Sequence, residues 1–346
     1  MRLDVICNDG SPLGVTEQSI FGEDGRKGIG GAELALLTLC KGWHDKGYKV
    51  TLYNSPSVPN GSCFKQAGID DFSPQASRDM LIIFRSPNMR IRDGAKGKKI
   101  WWSTDQRTVN DFKVFAGMVD KIVTISPYHS DYFRDVYGIF DTIPIDLPVR
   151  TWEYDRNVQK VPYLCIWNSI PDRGVLQLAE VWKRVIEQFP EARLVITSDW
   201  RLWDARAPAE LLNQYRNAFI GLPNVEYYGA VNRSQLIELE LQAQIHLNPN
   251  IYEELFCIAV AETQVAGAFP VSSMTGALRT TCMGKKFSGS PMDAAWQQEC
   301  ADYVVELLQN QKRLTRKGNK ISHAARNRFS LDRILDIWDK RIFQDG

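Results

Sequence analysis

The sequence predicts an α/β protein built from two successive doubly wound, Rossmann-like domains facing each other across a cleft. Three observations carry that expectation. Short apolar runs alternate with helical patterns along the chain, as parallel β-α-β units require. The alternation fades between residues 147 and 162, where Pro148, Pro162 and scattered charges mark a linker, and then resumes. A length of 346 residues fits two domains. A ligand shared by such domains would lie at the facing carboxyl ends of their sheets.

In the first half, Leu3–Cys7, Lys49–Tyr53, Met80–Phe84, Lys99–Trp102 and Lys121–Ile125 read as strands, and Gly31–Lys46 as a helix. Ser126-Pro127 opens a further helix. In the second half, Tyr163–Trp167, Leu194–Thr197, Val225–Tyr228, Ile245–Leu247 and Phe269–Ser272 read as strands. Between them, Val175, Leu178, Ala179, Trp182, Val185, Ile186 and Phe189 keep the spacing of one helix face. Ser234–Gln242 reads as a helix capped by Ser234. At the end of the chain, Leu331, Ile334, Leu335, Trp338 and Ile342 share one helical face. The expected boundaries are 1–155, 156–328 and a C-terminal segment 329–346.

Composition narrows the function. With 42 basic and 41 acidic residues, the net charge of +1 gives no global attraction for nucleic acid. Seven cysteines without a Cys-x-x-Cys pair, most in apolar runs, read as reduced core thiols of a cytoplasmic protein and not as zinc ligands. Asp4 interrupts the first apolar run, which reads as a strand and not as a signal peptide. No apolar run is long enough to span a membrane.

The chemistry concentrates in Asn248–Glu262. Asn248-Pro249-Asn250 is a turn after a buried strand, and a helix follows to Ala266-Gly267. Glu254 therefore sits at the carboxyl end of a strand near a helix N-terminus, and Glu262 lies within the helix. A carboxylate there accepts hydrogen bonds from hydroxyls, while helix amides hold an anion. Sugar hydroxyls joined to a diphosphate use both. A capping acid and a solvated helical acid are the plainer reading of the same pair.

Arg173, in the loop Asn168–Gly174, stands where a helix begins. A cation there opposes the helix dipole, which suggests an anionic ligand between the two; a solvated arginine paired with Asp172 is the alternative. Gly28-Ile29-Gly30-Gly31-Ala32-Glu33 opens the first clear helix with backbone that can approach an anion closely, though Glu33 stands where a dinucleotide fingerprint has its third glycine. Arg85, Arg90, Arg92, Lys96, Lys98 and Lys99 form a basic stretch offset by Asp93. Such a loop could meet an anionic acceptor or membrane headgroups, so peripheral membrane contact through Arg85–Lys99 is an open reading beside a solvated loop. Trp101, Trp102 and Trp167 end strands and could line a sugar platform, with core packing as the default. His246 reads as a core histidine. The lack of Asp-x-Asp argues against a diphosphate held through a carboxylate-bound metal.

Taken in order, Gly30-Gly31-Ala32-Glu33, Val123–Ser126, Arg173-Gly174, Val225–Gly229, Asn248-Pro249, Glu254-x-Phe256 through Glu262, and Gly267-x-x-Pro270-Val271 resemble the retaining nucleotide-sugar glycosyltransferases of the GT-B fold, glycosyltransferase family 4. The resemblance implies a hexosyltransferase that moves sugar from a nucleoside diphosphate to a hydroxyl of a glycan, lipid or small-molecule acceptor, with no metal or other cofactor. It assigns catalysis to Glu254 and Arg173. Donor binding falls to Glu262, Phe256, Cys257, Ile258, Asn168 and Ser169. Gly30, Gly31, Glu33, Thr104 and Asp105 fall on the diphosphate and acceptor side, and the C-terminal helix crosses back to the N-terminal domain. Three positions depart from the family: Asn168 replaces an arginine, Cys257 a glycine, and Thr104, before Asp105, a histidine. An epimerase or phosphorylase on the same fold, or a non-catalytic sugar-nucleotide binding protein, are the competing functions.

Overall fold

Met80–Phe84 is buried at every residue. A strand with no polar alternation needs cover on both faces, which a parallel sheet between helices supplies. The computed structural model describes residues 1–8, 14–22, 25, 28–92, 94–197, 199–200 and 208–344. Contacts divide the chain into two units. The first comprises Met1–Gly25, Gly31–Pro148 and Phe329–Gly346; the second comprises Arg26–Gly30 and Val149–Arg328.

The first unit holds strands β1 (Arg2–Ile6), β2 (Lys49–Tyr53), β3 (Lys65–Ala67), β4 (Met80–Phe84), β5 (Lys98–Trp102), β6 (Lys121–Thr124) and β7 (Thr142–Pro144). They form one sheet in the order β3-β2-β1-β4-β5-β6-β7. Every pairing is parallel; Val5 faces Leu52 on one side and Ile82 on the other. Strand order reverses between β1 and β4, and open α/β sheets take ligands beyond the carboxyl ends at such a point. Helices α1 (Glu17–Phe21), α2 (Gly31–Asp45), α3 (Phe112–Ala116) and α4 (Pro127–Tyr132) belong to this unit. Ser126 caps α4 by accepting the His129 N–H, with proline in the first turn. Trp101 is fully buried, edge-on to Phe112 and Phe115 at 4.8 and 5.3 Å.

The second unit repeats the plan with β8 (Leu164–Trp167), β9 (Arg193–Ile196), β10 (Val225–Tyr227), β11 (Ile245–Asn248), β12 (Phe269–Ser273) and β13 (Lys285–Phe287). The order is β10-β9-β8-β11-β12-β13, again parallel. Its helices are α5 (Val175–Gln188), α6 (Ala209–Asn217), α7 (Arg233–Gln242), α8 (Ile258–Val265), α9 (Leu278–Thr281), α10 (Ala294–Gln309) and α11 (Gln311–Phe329), the last ending at the first unit's Phe329. The spaced apolar residues of α5 bury Val175, Leu178, Ala179, Trp182 and Val185 against the sheet and α10. Burying a side chain of that size is worth roughly 1.5–3 kcal/mol.

One local expectation needs correction. Asn232, not Ser234, caps α7: its side chain accepts the Gln235 N–H at 2.9 Å and Gln235 returns the bond. The Ser234 hydroxyl instead accepts from Arg156 at 3.2 Å. Trp101, Trp102 and Trp167 are at most 1% exposed and serve as core, the default reading, which leaves no ring face for a sugar platform.

Helix α12 (Leu331–Trp338) continues into a π-helical turn, Asp339–Phe343, and belongs to the first unit. It lies against α2, where a Cβ on Gly42 would come within 2.7 Å of Leu335 Cδ1. Trp338 sits edge-on to Trp43 at 5.3 Å and Trp102 at 5.6 Å. Among the described residues, no helix is long and apolar enough to cross a membrane.

Candidate functional site

In the second unit, β8 and β11 are neighbours, and the loops leaving their carboxyl ends are tied together. The Ile251 N–H donates to the Arg173 carbonyl at 2.9 Å. A Cβ on Gly174 would lie 2.4 Å from the Pro249 oxygen, so the contact requires glycine, and its φ of 138° suits glycine as well. Asn250 organises the loop after β11. Its Oδ1 accepts the Tyr252 N–H at 2.7 Å, and its carbonyl accepts from the Ser273 and Thr275 hydroxyls at 2.6 and 3.1 Å. On the far side the Glu254 carbonyl accepts the Ala277 N–H at 2.7 Å, and a Cβ on Gly276 would press within 2.4 Å of that oxygen.

The clamped loop brings Glu254 and Arg173 together. Glu254 Oε1 lies 3.3 Å from Arg173 Nε and 3.3 Å from Asn250 Nδ2. The Arg173 guanidinium stacks on Tyr252, 3.4 Å from the ring centre, and reaches Asp172 at 3.5 Å. Burial raises the Glu254 pKa, while Arg173 and Asn250 pull it down. A cation at the start of α5 thus has its counter-charge supplied by the protein through Glu254 and Asp172. Asn250 and Tyr252 complete this group; they lie inside the motif that drew attention to Glu254, but turn chemistry and aromatic content alone gave them no role.

Phe256 is buried beside Glu254, and Cys257 begins α8 with φ of 69°. That is the left-handed region glycine enters freely. Ile258 opens the helix and is half-buried. A helix start leaves its first amides without intrahelical acceptors, which suits them to an anion.

Glu262 is not a solvated helical acid. It is 3% exposed, with Oε1 2.7 Å from Arg233 Nη2. Arg233 also meets Glu153 Oε2 at 2.8 Å, and Glu153 Oε1 meets Arg150 Nε at 2.9 Å. Burial raises the Glu262 pKa against the pull of Arg233. Beside it, Glu240 accepts from Asn168 Nδ2 at 2.6 Å and meets the Tyr154 hydroxyl at 2.6 Å. Burial, reinforced by the nearby Glu262 charge, pushes Glu240 up to about 8. Asn168 is buried with Oδ1 unpartnered, and Ser169 is buried next to it. Glu262 and Asn168 stand out in the sequence, whereas Arg233, Glu153 and Glu240, which join them in this network, carry no motif. His246 is a core histidine: Nδ1 is 2.8 Å from the Thr263 hydroxyl, and burial pushes its pKa down to about 3.

Gly30 clusters with the second unit, where the neighbouring Gly28 N–H donates to the Val231 carbonyl at 3.0 Å; Gly31 starts α2 in the first. Within the first unit, Glu33, Thr104 and Asp105 converge on Arg85. Its Nη1 lies 2.7 Å from Glu33 Oε1 and its Nε 2.9 Å from Asp105 Oδ2. Thr104 Oγ1 is 3.4 Å from the same Nε and donates to Asp105 at 3.0 Å. Burial disfavours the Arg85 charge, but the Glu33 and Asp105 carboxylates together outweigh it and raise its pKa. The basic stretch is therefore partly compensated. Besides Arg85, Arg90 meets Asp70 at 2.8 Å and Lys99 meets Asp120 at 3.7 Å, while Arg92 and Lys96 are exposed and Asp93 lies outside the described residues. Among the described residues, no group of three or more His, Cys, Asp or Glu side chains is placed to hold a metal ion.

No family model matches the sequence, and no curated protein aligns with it. Solved structures do match along the whole chain. AviGT4, a glycosyltransferase involved in avilamycin A biosynthesis, is 18% identical, with 98% of this chain and 96% of that one covered and a TM-score of 0.68. A glycosyltransferase from Rickettsia africae is 14% identical over 100% and 99%, with a TM-score of 0.71. HepE from Anabaena, solved with UDP, is 13% identical over 99% and 100%, also at 0.71. Two parallel α/β sheets, with a C-terminal helix returning to the first unit, give this chain the GT-B fold of these glycosyltransferases.

Proposed function

We propose that the protein is a retaining hexosyltransferase that takes sugar from a nucleoside diphosphate and passes it to a hydroxyl acceptor without a metal. The observation that supports this most is the Arg173–Glu254 pair, held by two interlocked loops at the carboxyl ends of adjacent strands. A guanidinium with a carboxylate 3.3 Å away suits a sugar diphosphate: the first faces phosphate oxygens, the second accepts from sugar hydroxyls. The amides at Cys257 and Ile258 would add to Arg173 as negative charge grows on the departing diphosphate. Glu262 would accept from the ribose hydroxyls, with Arg233 at 2.7 Å opposing the effect of burial on its charge. Retention then follows if a phosphate oxygen of the leaving group takes the acceptor proton on the same face. HepE has been solved with UDP and with UDP-glucose, which makes uridine nucleotides the first donors to try.

The test begins with thermal shifts for a panel of nucleoside diphosphates. A ligand at about 100 times its dissociation constant stabilises by roughly 2.7 kcal/mol. The best donor sugar is then followed by NMR for the anomeric form of the product, with and without EDTA. An α-linked product from an α-linked donor, formed in EDTA, is expected. An inverted product, phosphate-dependent cleavage, or an isomerised free nucleotide sugar would replace the reading.

A further inference from the structure

The Arg85 cluster carries a sign that bears on the second substrate. Arg85 follows β4 with φ of 64°, a backbone state that a non-glycine residue holds only when its surroundings enforce it. The Trp101 indole donates to its carbonyl at 3.0 Å, and two carboxylates grip its side chain at Nη1 and Nε. Glu33 is 4% exposed, and its Oε2 has no hydrogen-bond partner. His129, at this end of the sheet, is fully buried, and burial pushes its pKa down to about 3, so it adds no positive charge at neutral pH. Glu33, Asp105 and Arg85 therefore sum to a formal charge of −1 where the strand order reverses and a ligand crevice is expected.

An incoming phosphate or carboxylate would meet a guanidinium already matched by two carboxylates, and like charges brought together cost affinity. A hydroxyl fits better because it donates and accepts at once. Asp105, with a side chain 37% exposed, accepts; the Arg85 Nη2 nitrogen carries two further donors. We propose that Arg85 and Asp105, braced by Glu33, bind the acceptor of the transfer reaction, and that this acceptor presents neutral hydroxyls, as a sugar or polyol does, instead of phosphate or carboxylate. The inference rests on the transferase reading above. It also reverses the sign that the basic stretch suggests in the sequence.

The experiment uses the full chain with UDP-glucose as donor probe and follows UDP release. Methyl α-D-glucopyranoside, glucose 6-phosphate and glucuronate are supplied at equal concentration. The neutral glycoside is expected to stimulate release at least about tenfold more than either anion. Asp105→Asn keeps the shape and removes one negative charge. It should raise the apparent KM for the glycoside and narrow the preference over glucose 6-phosphate by about fivefold or more. The UDP-induced thermal shift of each variant reports folding and nucleotide binding separately. Preference for the anions, an unchanged preference in Asp105→Asn, or no response to any of the three sugars while UDP still shifts the melting point would overturn the acceptor assignment. A wild-type chain that ignores every nucleotide in the panel would instead remove the transferase reading on which it rests.

Discussion

Arg173 Nε lies 3.3 Å from Glu254 Oε1, although the two residues come from loops on different strands. The pair is mutually dependent. Arg173 lowers the pKa that burial raises on Glu254, and Glu254 supplies the counter-charge for a cation at a helix start. Arg173→Ala should therefore do two things. Sugar transfer should fall by about 100-fold, the scale of removing one charge-stabilising donor. Residual activity should also climb with pH through the weakly acidic range, because Glu254 without its partner ionises later. Steady-state rates from pH 5 to 8 check this, and a flat profile with near-native turnover would refute it.

Gly276 has φ of 57°, and a Cβ there would come within 2.4 Å of the Glu254 carbonyl and 2.7 Å of its nitrogen. Neither atom can swing aside, since both are backbone. Gly276→Ala should displace Glu254, cut turnover at least tenfold and cost about 1–3 kcal/mol of stability. Urea unfolding and transfer rates measured together distinguish this from a general loss of folding.

Glu240 titrates at about 8 in the fold because burial disfavours its charge. Its folded pKa stands above the ordinary carboxylate value. Its contribution to stability is therefore complete below that ordinary value, near pH 4.5, and is lost as pH rises towards about 8. Glu240→Gln keeps the shape and the bonds to Asn168 and Tyr154 without the charge. The melting temperature of the wild type should fall relative to this variant between pH 5 and 8, and parallel curves would contradict the assignment.

Cys257 holds φ of 69° while its thiol packs with Val260, Leu278 and Cys282. Cys257→Gly relieves backbone strain of roughly 1–2 kcal/mol and loses that packing, so stability should change by less than about 1 kcal/mol. Cys257→Val places a β-branched residue in the same left-handed state and should cost more than about 2 kcal/mol. Denaturant midpoints for the two variants test the contrast.

Much of the architecture was legible because its signals are local. Met80–Phe84 declares a strand covered on both faces, and the spacing from Val175 to Val185 declares one buried helix face. Alternation of such pieces led to two doubly wound sheets. The motif from Asn248 to Glu262 likewise placed Glu254 beyond a strand end. Helix α11 left no such mark, since its face buries only Leu314, Gly318, Ile321, Ala325 and Phe329 among many charges.

The linear order of residues, by itself, determined the elements, the parallel sheets and the loop that carries Glu254, because hydrophobic period and turn chemistry act over a few neighbours. Tertiary structure alone decided which charges meet. It took Arg85 out of a basic stretch and set it between Glu33 and Asp105. It also joined Glu262 to Glu153 through Arg233, across more than a hundred residues of chain. Ionic partners are chosen by which strand ends and helix faces the topology brings within a few ångströms, and burial then sets the strength of those pairs.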